Sequence, residues 1–362
     1  MGHPAIENET PFAFEALFAA DEQGRPVLTS LVKATFDIVG NGALELAEEQ
    51  IPVDFSGQYN GEPGVSSCRV EPEVAFTKLA TDVVLVGHAH ASRRRAVSVD
   101  VELRVGRIQQ CLRVTGDRVW TRRFLGATPS QPEPFEAIPL VYERAYGGWD
   151  RSAEDPAHHG FHAWNPVGVG FRTKRARFEE GSPLPNIEDP DAMLTSYKGK
   201  STAAGFGFVN PEWEARRRYA GTYDAAWSRD RMPLLPSDFD RRFFNAASPG
   251  LVADGFLRGD EAVLISGASP EGRLSFRLPA VVPPSCRIAL RNDDDQTHST
   301  NLDTVLLDLD ARKLVLTWRS FTVLRDGPFE VTDIEIRAEN APEKRVGAPL
   351  ENVVRLPGRR AA

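Results

Sequence analysis

Seven histidines and a handful of closely spaced carboxylates are the side chains here whose types and spacing could do chemistry. His88 and His90 lie two apart in a segment, Val83 to Ala91, that reads as a strand, so both rings point to one face. Two imidazoles on one face supply two of the three protein ligands a catalytic zinc ion takes. Spacing nominates no third ligand, and the adjoining run Arg93-Arg94-Arg95 fits a polar face near a turn. His158, His159 and His162 raise the same question, because His158 and His162 would share one face of a helix. Pro156, Gly160 and Pro166 argue against a helix there, which leaves a polar loop. Asp238 with Asp240, or Asp150 beside Gly147-Gly148-Trp149, would suit the acid and base of a glycosidase next to aromatic sugar platforms. A plainer reading has Asp238 and Asp240 opening a helix and Asp150 following a Gly-Gly turn. Nothing matches a nucleophile elbow, HExxH, a P-loop or a dinucleotide fingerprint. The expectation is no catalytic residue, no metal and no cofactor.

The elements around these residues are mostly strands. Val97, Val99, Val101, Leu103 and Val105 alternate with Ser98, Asp100, Glu102 and Arg104, the pattern of a half-buried antiparallel strand. Ile108 to Val114 returns as its hairpin partner after Gly106-Arg107. Leu28 to Ile38 alternates likewise, with Thr29, Lys33, Thr35 and Asp37 on the second face. The C-terminal third repeats the style at Leu274 to Leu278, and at Thr304 to Leu309 turning through Asp310-Ala-Arg312 into Leu314 to Trp318. From Phe329 to Arg337 the apolar phase slips at Thr332-Asp333, which predicts a β-bulge.

Helices are expected only in the middle. One would run over 210–218 with Asn210 as N-cap and Pro211 at its first position, and a second from Thr222 to Arg231. A third would start at Ser237 and include Asp238, Asp240 and the run 241–245. The fold class read from this is mainly β: two antiparallel sandwich or open-barrel lobes joined by a loop-rich segment with short helices. The domains would be an N-terminal lobe at 8–125, an irregular centre at 126–250, a C-terminal lobe at 251–340 and a polar tail at 341–362. No internal repeat of fixed period is present.

A chain of 362 residues, 41% hydrophobic and 26% charged, describes a soluble protein able to bury a sizeable interior. Its net charge of -8 repels a nucleic-acid backbone on average, so no nucleic-acid partner is expected. Three cysteines, Cys68, Cys111 and Cys286, lack CxxC spacing and argue against a disulfide scaffold or a cysteine zinc site. The start of the chain lacks a signal-peptide pattern, and no apolar run reaches the ~18 residues that span a bilayer. A cytoplasmic protein without a membrane partner is the reading.

The middle is the most distinctive stretch. Asn165-Pro-Val-Gly-Val-Gly-Phe171, Leu184-Pro-Asn-Ile-Glu-Asp-Pro190, Ala220-Gly-Thr-Tyr-Asp-Ala-Ala-Trp227 and Pro233-Leu-Leu-Pro-Ser-Asp-Phe-Asp240 combine loop punctuation with large aromatics. Within it, Asn165, Gly168 and Gly170 fit a tight turn in which Gly permits positive φ and Asn binds its own backbone.

With Asn8-Glu-Thr-Pro-Phe12, Val32-Lys-Ala-Thr-Phe-Asp37, Tyr59 with Gly61-Glu-Pro-Gly64, Gly116-Asp-Arg-Val-Trp120 and Pro139-Leu-Val-Tyr-Glu-Arg-Ala-Tyr-Gly-Gly148, these motifs resemble a bacterial domain-of-unknown-function family encoded beside type VI secretion genes. The resemblance runs in order from about Asn8 to about Ser320. It departs at Ala203 and Phe208, where the family leads one to expect proline. The resemblance implies an effector adaptor or chaperone. Such a protein binds a cognate secreted effector in the producing cell and places it on the spike protein or PAAR-type tip, without catalysis. Aromatic and arginine side chains are the usual energetic centres of interfaces. Tyr223, Trp227, Phe239, Phe243 and Phe244 are therefore candidate partner-facing residues, with Arg229, Arg231, Arg241 and Arg242 as rim contacts. Burial as staples between the middle and the strands is the competing fate of the aromatics. A glycan-active or metal-dependent hydrolase using the aromatic middle is the alternative function.

Overall fold

Alternating runs of Val, Leu, Ile and Phe build three main sheets in the computed structural model, which describes residues 4–91, 96–124, 126–291 and 293–340. The largest is centred on Pro26–Val39, which pairs antiparallel with Ala13–Ala20 on one side and Lys313–Val323 on the other. Asn301–Asp308 continues it as a hairpin, Asp82–Val86 adds in parallel at the far edge, and Ala43–Leu46 pairs at the end of Pro26–Val39. A second sheet runs Ile187–Glu188, Ile108–Thr115, Ser98–Val105, Ala262–Ser266, Arg273–Arg277. A third runs Ala5–Asn8, Val331–Arg337, Ser285–Leu290, Gln296–Ser299. The mainly β class stands, and none of these sheets closes into a barrel among the described residues.

The sheets do not follow the expected lobe boundaries. Strands from residues 13–86 share one sheet with strands from 301–323, and the hairpin at 98–115 shares another with 262–277. One contiguous core extends from Phe12 to Ile336 and takes residues from all three sheets. Each sequence-local array alone would expose unpaired strand edges, and pairing across the chain covers them. The polar tail expected at 341–362 and the run Arg93-Arg94-Arg95 lie outside the described residues.

Both faces of Pro26–Val39 are buried, although only one is apolar. Residues 47–81 fold over the polar face and satisfy it. Lys33 Nζ donates to Glu73 (2.7 Å) and to Pro52 O (3.0 Å), and the Gln50 amide both donates to and accepts from the Thr35 backbone. At the next strands Lys78 Nζ lies 2.8 Å from Asp82 Oδ2 and 3.1 Å from Thr304 Oγ1, and Arg319 pairs with Asp303. Burial opposes the charge on Lys78, but Asp82, Glu71 and Asp303 outweigh it and hold the ammonium well above the usual lysine range.

Local expectations hold where the pattern is period two. Val105 and Ile108 close the predicted hairpin, and the predicted bulge falls on Thr332, which the ladder skips between Ala289–Asp333 and Leu290–Val331. Helix boundaries shift. The first helix is only Glu214–Arg217, because Asn210 turns its side chain to Cys68 N and Ser66 O instead of capping. The second is Ala225–Asp230 with Asp224, not Thr222, as its cap. The third is a 3-10 turn, Arg241–Phe244, capped by Asp240. A small second core of Trp120, Tyr146, Ala176, Leu184, Leu194 and Tyr197 packs the irregular centre.

Candidate functional site

The histidines do not assemble a shared site. Gly87, at φ +150°, splits the expected strand, so Asp82–Val86 and His88–His90 join different partners. The rings of His88 and His90 stay on one side, 6.4 Å apart, with His88 Nδ1 2.8 Å from Asp310 Oδ1. Burial, and then the neighbouring His88, keep His90 below the usual imidazole range. Pro156–His158 forms one 3-10 turn rather than a plain loop. His158 lies beside Asp155, His159 bonds Ala153 O, and His162 packs between Tyr146 and Phe171. Among the described residues no group of three His, Cys, Asp or Glu side chains could hold a metal ion.

The nominated carboxylates are engaged in local structure. Asp150 is buried, with Oδ1 accepting from Ser152 N and Oγ and Oδ2 accepting from Thr173 N and Oγ1. Burial pushes its carboxyl up, but these donors together outweigh it and the net shift is downward. Asp238 accepts from Thr222 N and Oγ1, which ties down the chain ahead of Ala225–Asp230. Asp240 caps its turn and clasps Arg242. Asn165 is fully buried and donates to Tyr142 O and Tyr146 O, so it bridges two segments instead of binding its own turn.

The nominated aromatics and arginines occupy one arm, residues 219–244, but at different depths. At the outer end the helix Ala225–Asp230 buries no residue, and Tyr223 is 54% and Met232 63% exposed. Tyr223 and Trp227 meet edge to face at 4.7 Å, and the Trp227 indole N–H donates to Leu234 O at 2.8 Å. Arg229 pairs with its neighbour Asp230, in solvent.

The inner end is a clamp. Arg231 donates to Glu22 O at 2.6 Å, Arg241 donates to Glu22 Oε1 through two nitrogens, and Leu234 packs on Gly24. Gly24 has φ +78°, and a Cβ there would lie 2.9 Å from Leu234 Cδ2. Burial raises the Glu22 carboxyl, but the Arg241 hydrogen bonds and charge outweigh this and hold it below the usual range. Phe239, Phe243 and Phe244 pack together, Phe244 reaches Phe76 at 5.2 Å, and Arg241 lies over Phe76 and Phe321. Phe244, packed on Phe239 and Phe243, ties the arm to Phe76, whereas Tyr223 is exposed and Trp227 lies half-buried against it.

Sequence reading missed two surface features. Trp149 and Phe161, both partly exposed, stack at 4.7 Å under the Arg151 guanidinium. Trp164, Arg218, Tyr219 and Arg242 form an alternating ladder with guanidinium-to-ring distances of 5.1, 4.7 and 4.5 Å. Trp164 also lines a groove of about 660 Å³ together with Gln109 to Leu112, so the ladder joins the groove to the base of the arm. The ladder pairs residues from segments some fifty positions apart, and single-segment patterns carry no sign of it. The weak signal available was the density of Arg and aromatics over 213–219.

Fold and surface together describe a mainly β protein whose central segment carries an arm, residues 219–244, near a groove lined by Trp164. The chain belongs to the bacterial family described as an uncharacterized protein conserved in bacteria (DUF2169), whose model matches residues 23–319. Comparison with curated proteins and with solved structures gave no match. No helix among the described residues is long and apolar enough to cross a membrane.

Proposed function

We propose that this chain is an effector adaptor of type VI secretion: it binds a cognate effector stoichiometrically and promotes its loading at the spike protein or PAAR-type tip, without catalysis. The observation that carries the reading is the arm. A helix that fully buries none of its residues, clamped at its base and presenting Tyr223 and Met232 beside the half-buried Trp227, contributes little to a core and suits a partner surface. The acids that a hydrolase would need are engaged in capping and turn bonds, which favours binding over turnover as the role of this region.

The test is co-purification of tagged protein from its native host, with bound proteins identified by mass spectrometry. Recovery of a toxin together with a spike or PAAR-type protein is expected, and Trp227→Ala should lose it while keeping the wild-type fold. Recovery of neither, with the secretion genes expressed, would remove the reading. Turnover of a glycan substrate abolished by Asp150→Asn or Asp238→Asn would replace it with the hydrolase alternative.

A further inference from the structure

The groove exposes an incomplete sheet edge. Two hydrogen bonds fix which way the residues of Ile108–Thr115 face. Gly116 N donates to Val97 O, so residues 108, 110, 112 and 114 direct their backbone groups to the strand Ser98–Val105. Thr115 N donates to Asn186 O at 2.8 Å, so Gln109, Cys111 and Arg113 direct theirs to the opposite side. Arg113 pairs with Glu188 there, and the strand Ile187–Glu188 ends. Among the described residues, none offers a backbone partner to Gln109 or Cys111 on that side. Their two N–H and two C=O groups open into the groove.

The surroundings give this edge a chemistry. Trp164, Val209, Ala204 and Pro249 line an apolar well beside it. His162 stands in the same wall with Nδ1 buried and unpartnered. Asp189 is the one Asp, Glu, Lys or Arg side chain lining the groove, while on the adjoining sheet face Arg113 is clasped by Asp100 in a two-bond pair of 2.8 and 3.0 Å and Arg104 donates to Gln109 Oε1 at 2.8 Å. Within the groove itself the fixed charge is that of Asp189. A volume of about 660 Å³ accommodates a few side chains of an extended segment.

We propose that this edge receives an extended peptide from the partner protein, added antiparallel to Ile108–Thr115 where Ile187–Glu188 stops. An apolar side chain of the peptide enters the well beside Trp164, and a Lys or Arg lies beside Asp189. The proposal rests on the reading of the chain as a binding protein and names the segment chemistry it recognises. The Trp164–Arg218–Tyr219–Arg242 ladder makes the groove continuous with the arm, so one partner can engage both.

The experiment selects a phage-displayed random peptide library on the full chain, then measures binding of the enriched peptides as synthetic molecules. Enriched sequences should alternate apolar residues with Lys or Arg, and bound peptide should protect the Gln109 and Cys111 amides from hydrogen exchange. Cys111→Pro removes a groove-facing N–H without taking a ladder hydrogen bond from Ser98–Val105 and should weaken binding about tenfold or more, whereas Cys111→Ala keeps that N–H and should lose about twofold at most. N-methylation of alternate peptide residues should reproduce the tenfold loss on the unaltered protein, which makes the result independent of how the proline variant folds. Failure to enrich such peptides, unchanged exchange at both amides, or full affinity for a folded Cys111→Pro protein would overturn the proposal. If basic peptides dock here but the host yields no toxin or spike protein, the adaptor reading falls and the groove stands. If a toxin is captured equally well by Cys111→Pro, the groove falls and the adaptor reading stands.

Discussion

The covered face of the central sheet and the arm at 219–244 are built from the same residue types, arginine or lysine, carboxylates and aromatics, yet they do opposite things. Under residues 47–81 the charges are enclosed: Lys78 and Asp82 are almost wholly buried, 2.8 Å apart, with Lys78 also donating to Thr304 Oγ1 and Asp82 accepting from Ala246 N. On the arm the pair Arg229–Asp230 stands in solvent. A buried pair that loses one member leaves an uncompensated charge, whereas an exposed pair returns its survivor to water. The same chemistry therefore specifies the fold in one region and is free to serve recognition in the other.

Breaking the enclosed side should have the largest effect. Lys78→Ala leaves the buried Asp82 without its cation, while Glu71 keeps Arg216, and should cost about 3–5 kcal/mol, read as a lower denaturant midpoint. At the clamp between the two regions, Arg241→Ala removes two hydrogen bonds to Glu22 and a guanidinium packed over Phe76. It should cost about 1–2 kcal/mol and make the arm sensitive to limited trypsin digestion while the rest of the chain resists.

Acid should reach the clamp by the same route. Glu22 is held below its ordinary pKa, so its contribution is complete above about pH 4.3 and is lost as pH falls through the depressed value. Fluorine NMR of fluorotryptophan-labelled protein should show the Trp227 signal constant from about pH 7 to 5 and shifting only below about 4. Movement of that signal near neutral pH would show that some other group holds the arm.

At the outer end stability should hardly respond. Trp227→Ala should lower stability by about 1 kcal/mol or less, through one hydrogen bond and one edge-to-face pair, while abolishing partner capture. Arg229→Ala should leave the melting temperature unchanged, and any measurable drop would mean that the exposed pair belongs to the fold after all.

Strands were legible in the sequence wherever one face was apolar. The hairpin closing at Val105–Ile108 and the bulge at Thr332 follow from period-two alternation and its slip. Helix starts were less so, because Asn210 and Asp224 are equally good caps on paper and the competing offer of Cys68 N and Ser66 O to Asn210 comes from residues over a hundred positions away. The candidate set of aromatics came out as one structural unit, but its division into clamp and outward face depended on Glu22, Gly24 and Phe76, which no local pattern connects to it.

The sequence by itself determined the mainly β class, the acidic charge and the aromatic, turn-rich middle, because these depend on residue type and on spacings of a few positions. Only the tertiary structure decided that the two ends of the chain share sheets, that Lys33 and Lys78 are enclosed, and that the edge at Gln109 and Cys111 stays open. Each of those outcomes is a choice among long-range partners, and backbone hydrogen bonds are indifferent to side-chain identity. Burial of the whole chain, not any segment of it, selects which edges pair and which remain free.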